Sequence, residues 1–580
     1  MLEGLKKRSL QILSKITNAV KASCSKVRNC FFQMIPSKQI WRGAGIGIGL
    51  LGYLAAIVMI IDGILPAGWL YFLGALILFP IASGLAVSLV LDILRWLIKL
   101  PQTFLRLALM GFLLTMTSFG FFDLPGAFMG VLTIVLGGLI GAGLWPMMRG
   151  RWPSMRKLQK GFSVGVLLLG SVGFLFLICW LLDEGPGQPR PQSALKEIKL
   201  SSLADTMPDP SSRGSHDVLT MSYGSGMDKR RPEFAEGAAF LTDTVDGSPF
   251  IEGWTWLRTR IWGFDENTLP LNGRVWYPDG QGPFPLVFLV HGNHLAEDYS
   301  DTGYAYLCDL LASRGSICVS IDQNFLNGSV VGDLLGFMGL KDENDCRGWL
   351  LLEHLSLWER LATDVSRPFT GQVDLDNIAL IGHSRGGEAV GIAATFNKLA
   401  HYPENANIEF DYGFDIRSVI MIAPVDRQYQ PASEPLPLED VNLLIMHGSH
   451  DMDVTSFDGY HLFERTSFSD ETSFFKSTLY VWGANHGQFN TRWGNKDTGT
   501  PPIWLYNREP LISGEEQTKI AQVYISAFIE TTLGNEYDYL PLFQNYQRGL
   551  AWLPKTIYLN AYADSDTDHL LTYEEDVDLT

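Results

Sequence analysis

The spacing of apolar positions changes character twice along the chain. Up to about residue 42 apolar positions such as Leu10, Leu13, Ile16 and Val20 are interleaved with lysines. That pattern fits either an amphipathic helix lying on a membrane surface or a solvated basic arm. From Gly43 to Leu182 five long apolar runs follow, at about 43–63, 68–90, 104–122, 126–147 and 161–182. Each is close to the ~20 residues a helix needs to cross hydrocarbon. The stretch 67–100 contains Pro80 and holds either one span or a span plus an interfacial helix. Beyond about residue 270 the apolar runs shorten to strand length: Leu286–Val290, Ile317–Ile321, Ile378–Ile381, Val419–Ile422, Leu443–Met446 and Leu479–Trp482. Helix-length stretches, among them Leu350–Val365 and Gln517–Thr532, alternate with them. Such alternation predicts a mainly parallel sheet covered on both faces. The expected fold class is a multi-pass α-helical membrane domain followed by an α/β domain.

Charge refines that division. The net charge is −18, which argues against a nucleic-acid partner. Residues 1–42 nevertheless carry nine Lys and Arg against one acid, Glu3. Basic residues recur between the second and third runs (Arg95, Lys99) and between the fourth and fifth (Arg149, Arg151, Arg156, Lys157, Lys160), whereas Asp62, Asp123, Asp183 and Glu184 flank the other ends. By the positive-inside rule the N-terminus is cytoplasmic, and five crossings place residues from 183 onward outside the cytoplasm. One span more or fewer reverses this. The runs hold almost no ionisable residue away from their ends, so they predict an anchor packed through glycines rather than a transport path. No cleavable signal peptide is expected, because the first apolar run follows a long basic segment. The predicted organisation is a basic segment 1–42, a five-helix membrane domain 43–182, a Pro/Ser/Gly-rich linker and lead-in 183–235, an α/β domain 236–540 and an acidic tail 541–580.

Six cysteines make no C-x-x-C pair, so no zinc or thioredoxin-type motif is expected. Cys308, Cys318 and Cys346 allow one disulfide or remain buried thiols. In the tail, Asp564, Asp566, Asp568 and Glu575 have the spacing of a calcium loop, but His569 stands where that loop requires glycine. An acidic tail or a further β segment is the competing expectation.

The chemistry concentrates in Gly382-His383-Ser384-Arg385-Gly386-Gly387, between a predicted strand and a predicted helix. A G-x-S-x-G in that context is a nucleophile elbow: the turn is so tight that the residues two before and two after the serine must be small. Ser384 is the candidate nucleophile, and a serine needs a base to take its proton. His486, directly after Leu479–Trp482, is the candidate base. The orienting acid is expected between them in sequence; Asp451 is preferred, with Asp426 and Asp453 as alternatives. The candidate oxyanion donors are the backbone N–H groups of Arg385 and of Asn293, in His291-Gly292-Asn293-His294 after Leu286–Val290. His291 and His447 are expected to shape their turns. The apolar stretch Gln323–Trp349 reads either as a lid over the site or as a helix packed into the core.

On these residues, the stretch 270–535 resembles the α/β-hydrolase superfamily on its esterase and lipase side. The elbow is similar to those of chlorophyllase-like, dienelactone-hydrolase-like and polyester-hydrolase-like enzymes. Tyr223-Gly224-Ser225-Gly226 and Arg230-Arg231-Pro232-Glu233-Phe234 resemble segments of large bacterial secreted members. The resemblance implies ester hydrolysis through a serine acyl-enzyme, without a metal or organic cofactor, on a small-molecule or lipid ester. It covers less than half the chain, does not include the apolar spans, and leaves the acid open, since some relatives place it at the position of Asp426. An extracytoplasmic acyltransferase using the same three residues, and an inactive membrane scaffold or receptor, are the alternatives.

Overall fold

The apolar runs of the C-terminal half become the middle of a ten-stranded sheet. The computed structural model describes residues 102–119, 124–187 and 200–567, apart from 330, 331, 334–338, 342, 366, 470–472, 500 and 535. The strands in chain order are β1 (Val218–Gly224), β2 (Phe240–Leu241), β3 (Gly273–Pro278), β4 (Phe284–Val290), β5 (Ile317–Ile321), β6 (Val373–His383), β7 (Ile416–Ile422), β8 (Asn442–Gly448), β9 (Phe475–Val481) and β10 (Tyr558–Asp564). Their spatial order is β10-β9-β8-β7-β6-β4-β5-β3-β1-β2. The six central strands, β9 through β5, are mutually parallel. β3 and β10 join antiparallel at the two sides of that block.

Alternation of side chains explains why the central strands read as unbroken apolar runs. On β6, Ile378 and Leu380 enter one core while Ala379 and Ile381 enter the other. Leu286, Phe288 and Val290 oppose Val287 and Leu289 on β4 in the same way. Both faces are therefore dry. Helices Ala305–Ser313, Asn344–Thr363, Arg385–Phe396 and Gly514–Thr532 accompany the strands in sequence. The last begins on a reciprocal cap: the Glu516 N–H donates to Ser513 Oγ at 3.2 Å, and the Ser513 N–H donates to Glu516 Oε2 at 2.9 Å.

Two strands, β1 and β10, lie outside the expected α/β boundaries of 236–540. β1 and its partner β3 draw the presumed linker into the sheet. β10 pairs with β9 over its whole length, so residues 541–564 belong to the domain and not to an acidic tail. β1 and β10 escape a purely apolar search because their faces are only half-buried. Asp564, the expected first calcium ligand, is the last residue of β10, and its carboxylate accepts from Thr567 Oγ1 at 2.6 Å and from Tyr562 Oη at 2.9 Å. Asp568 and Glu575 lie outside the described residues. Among the described residues no cluster of three or more His, Cys, Asp or Glu could hold a metal ion.

Of the five expected spans, two correspond to helices long and apolar enough to cross a membrane: α1 (Leu124–Met148) and α2 (Lys157–Leu182). The run at 104–122 forms the helix Gln102–Phe119, whose apolar part, Leu107–Met116, is shorter than a span. The runs at 43–63 and 68–90, and the basic arm, lie outside the described residues. α1 and α2 pack through small residues. A Cβ on Gly143 would come within 2.6 Å of Leu167 Cβ, and one on Gly170 within 2.8 Å of Leu139 Cβ. Ser163 Oγ donates to the Gly143 carbonyl at 2.8 Å between the two helices.

Cys308 and Cys318 are joined in a disulfide, and Cys346 is a buried free thiol. In the stretch 323–349, Phe325 and Leu326 enter the core and Asn344 starts a helix that is buried along most of its length. Residues 334–338, the apolar centre of the expected lid, lie outside the described residues.

Candidate active site

The loops that leave the carboxyl ends of β4, β6, β7, β8 and β9 carry the candidate residues. Ser384 follows β6 and caps the helix Arg385–Phe396, with φ 59° and ψ −124°, a region that residues other than glycine rarely occupy. Surrounding contacts hold it there. The Ser384 N–H donates to the Ile422 carbonyl at 2.9 Å, and its own carbonyl accepts from the Gly387 N–H at 2.8 Å. The expected requirement for glycine is met at both flanks. A Cβ on Gly382 would fall 1.9 Å from the Gly386 carbonyl oxygen, and one on Gly386 would fall 2.5 Å from that of Val290.

Asp451 and His486 meet across the ends of β8 and β9. His486 Nδ1 donates to Asp451 Oδ2 at 2.7 Å; a carboxylate can only accept, so this bond fixes the proton on Nδ1. Asp451 Oδ1 accepts the N–H groups of Asp453 at 2.9 Å and Val454 at 2.7 Å, which orients the carboxylate. Burial of the imidazole opposes its charged form, but the charge and hydrogen bond of Asp451, with Asp453 and Asp497 behind it, outweigh burial and push His486 up to about 9.

The other two acids are placed differently. Asp426 is held by both terminal guanidinium nitrogens of Arg465, at 2.9 and 2.6 Å, so its carboxylate is already paired. Asp453 is half-exposed, and its Oδ2 lies 3.7 Å from His486 Nε2, on the far side of the ring from Asp451. His486 Nε2 itself is buried and makes no hydrogen bond among the described residues, so the expected bond to Ser384 Oγ is not formed. Bonds of this kind are often loose before substrate binds.

Asn293 and Ser384 line a common cavity of about 290 Å³, together with Arg385, Asp426, Gln428 and Asp453. The loop carrying Asn293 lies hard against the serine: a Cβ on Gly292 would sit 2.5 Å from Ser384 Cβ and 3.0 Å from its Oγ. Among the described residues nothing accepts from the backbone N–H of Asn293 or of Arg385. The Arg385 guanidinium turns away to pair with Glu343. Glu388 takes the N–H groups of Gln428 and Tyr429 and the Asn344 amide, rather than pairing with Arg385. His291 and His447 shape turns as expected: His291 Nε2 accepts the Gln323 N–H at 3.1 Å, and His447 Nε2 lies 3.2 Å from the Val454 carbonyl.

Residues of no recognisable pattern complete the site. Asp497 ties the base loop to the acid loop. Its Oδ2 accepts from His486 N–H at 3.0 Å and Met452 N–H at 3.1 Å, and its Oδ1 from Gly487 N–H at 2.9 Å and the Asn485 amide. Trp493 stacks on the His486 ring with 5.9 Å between centroids and a 7° tilt, and its Nε1 donates to Ser300 Oγ at 2.9 Å, reaching the loop after β4. His383, beside the serine, is buried, which holds its ring neutral, and Tyr304 Oη lies 2.9 Å from its Nδ1. Arg231, from the segment Arg230–Phe234, is fully buried and bridges Asp301 at 2.8 Å and Asp322 at 3.1 Å, pinning the chain that follows β4 to the end of β5. An aspartate eleven residues past a histidine carries no sequence signal; only the folded loop brings Asp497 back.

No protein-family model matches this chain and no curated protein matches it.

Proposed function

We propose that this protein is a membrane-anchored serine hydrolase of carboxylic esters built on the α/β-hydrolase fold. The observation that carries the proposal is Ser384, held at positive φ between β6 and its helix, directly after His383, whose ring lies 4.9 Å from that of His486 in the hydrogen-bonded Asp451–His486 pair. The strand order supports the fold: a block of parallel strands with β4 and β5 exchanged in space, and the candidate residues in the chain order Ser, Asp, His.

In this mechanism Ser384 Oγ attacks the ester carbonyl carbon while His486 Nε2 takes the hydroxyl proton. The carbonyl π pair moves to oxygen, and the backbone N–H groups of Asn293 and Arg385 receive the oxyanion. Collapse expels the alkoxide, which takes the proton from Nε2, and leaves an acyl-serine. Water then repeats the sequence, giving up a proton to His486, and releases the acid and free Ser384. Asp451 keeps the Nδ1 proton in place and stabilises the imidazolium between the steps.

α1 and α2 would anchor the protein in a multi-pass membrane domain, with the basic connection Arg149–Lys160 on the cytoplasmic side. The catalytic domain is then extracytoplasmic, and the Cys308–Cys318 disulfide fits an oxidising compartment. The test is labelling by a membrane-impermeant fluorophosphonate on intact and permeabilised cells, with wild type and Ser384→Ala. Ser384-dependent labelling of intact cells is expected. Labelling only after permeabilisation would overturn the orientation, and absence of Ser384-dependent labelling of folded protein would overturn the hydrolase.

A further inference from the structure

The cavity at Ser384 is unusual for a site that would accept fatty esters. Its volume, about 290 Å³, lies at the lower end of the roughly 300–1,000 Å³ typical of ligand sites. Among the described residues, only Val425 and Val454 of its lining side chains are aliphatic; the others are hydroxyl, amide or charged. An acyl chain of a dozen carbons would have to be buried against polar groups left without partners, which is unfavourable.

The charges along its wall are also unbalanced. Arg385 is neutralised by Glu343 and Asp426 by Arg465. Asp453 and Asp458 line the same cavity, and among the described residues neither has a Lys or Arg partner. The Asp458 carboxylate accepts from Ser456 Oγ, at 2.5 Å, and the positively chargeable groups near Asp453 among the described residues are the imidazoles of His486 and His294. Asp453 also has a defined chemical position. In ester cleavage His486 Nε2 delivers the proton to the departing alcohol, and Asp453 Oδ2 lies 3.7 Å from that nitrogen. The Asp453 carboxylate therefore flanks the alcohol portion of the substrate, not its acyl portion. His486 Nε2 is buried and, among the described residues, without a hydrogen-bond partner.

We infer that the preferred substrates are short-chain esters of a cationic amino alcohol, whose ammonium group is received by Asp453 with Asp458 behind it. This rests on the hydrolase proposed above and specifies its substrate class. The ammonium supplies the positive charge that the wall lacks, and the small cavity admits a short acyl group.

The experiment compares two thioesters of matched shape with the full-length protein in detergent: acetylthiocholine and its neutral isostere 3,3-dimethylbutyl thioacetate. p-Nitrophenyl acetate and p-nitrophenyl palmitate are run beside them, with Ser384→Ala as the blank. A quaternary ammonium has no N–H to donate, and an ion pair with a half-exposed carboxylate is worth up to about 1 kcal/mol, so kcat/KM for the cationic thioester should exceed that of its isostere by about fivefold. Asp453→Asn should reduce the ratio to within about twofold, and Asp458→Asn should reduce it partway. Because the ratio is internal to each sample, a variant with a lower yield of folded protein still reports it. Equal rates for the two thioesters, a ratio unchanged in both variants, or faster turnover of palmitate than acetate would overturn the assignment while leaving the hydrolase standing. Absence of Ser384-dependent turnover of all four esters would overturn both.

Discussion

Replacing Asp451 by asparagine isolates the electrostatic core of the proposed site. In the folded protein His486 is raised from 6.5 to about 9, against the opposing effect of burial. A difference of about 2.5 units is worth roughly 3 kcal/mol in favour of the imidazolium, at 1.36 kcal/mol per unit. The first consequence concerns rate. A general base must be neutral, so kcat/KM of the wild type should rise with pH through a limb near 9. Asparagine removes the negative charge and leaves burial in place, so the limb should fall by two units or more, to the ordinary histidine value or below it. The plateau should also drop on the order of 10³–10⁴-fold, because an amide no longer enforces the Nδ1–H tautomer. The second consequence concerns stability. The histidine pKa is higher folded than unfolded, so the contribution of the pair is fully present below about 6.5 and is lost as pH rises through about 9. The melting-temperature gap between wild type and variant should thus be widest near pH 6 and narrow towards pH 10. It should not close, since the N–H groups of Asp453 and Val454 exchange a charged acceptor for a neutral amide oxygen at every pH. The assay is p-nitrophenyl acetate hydrolysis from pH 5.5 to 10 with Ser384→Ala subtracted, beside thermal melts. A wild-type limb near 6.5, or a limb that Asp451→Asn does not move, would refute the reasoning.

Three other variants probe neighbouring parts of the argument. Asp426→Asn should destabilise by about 1–3 kcal/mol, because the half-buried Arg465 loses its bidentate partner; the rate limb should nevertheless stay near 9, and an acidward move like that of Asp451→Asn would reinstate Asp426 as the orienting acid. Asp497→Asn places an NH₂ group against N–H donors from two loops; kcat should fall about 10–100-fold with KM within twofold, and an unchanged kcat would reduce Asp497 to a bystander. Gly382→Ala sets a Cβ 1.9 Å from the Gly386 carbonyl oxygen; overpacking of about 3 kcal/mol or more should abolish fluorophosphonate labelling of Ser384, and normal labelling with an unchanged melt would contradict the tight elbow.

The sequence carried most of what the central sheet needed, because a strand buried on both faces leaves an unbroken apolar run. Each of the six expected strands lies in β4–β9, displaced by a few residues at most except for β6, whose polar first half, Val373-Asp374-Leu375-Asp376-Asn377, hides the strand start. β1 and β10 were hidden for the related reason that flanking strands have one face partly in water. In the site, Ser384 and His486 are recognisable because each ends a strand, and the elbow additionally needs its glycines. The choice among three aspartates was not decidable from order along the chain. It depends on which carboxylate is already occupied, and Arg465, which occupies Asp426, lies 39 residues away. Asp497 and Trp493 act through a loop that folds back on itself, and no periodicity marks such a loop.

The antiparallel strand β10 has a consequence for the life of the chain. Every backbone position from Phe475 to Val481 faces a residue of a segment made some eighty residues later. Until Tyr558–Asp564 has been synthesised, β9 is an open edge beside the loop that carries His486, with its N–H and C=O groups free to template another strand. A protein shortened before Tyr558 would thus keep every proposed catalytic residue and still be sticky: its failure would take the form of self-association rather than of faulty chemistry.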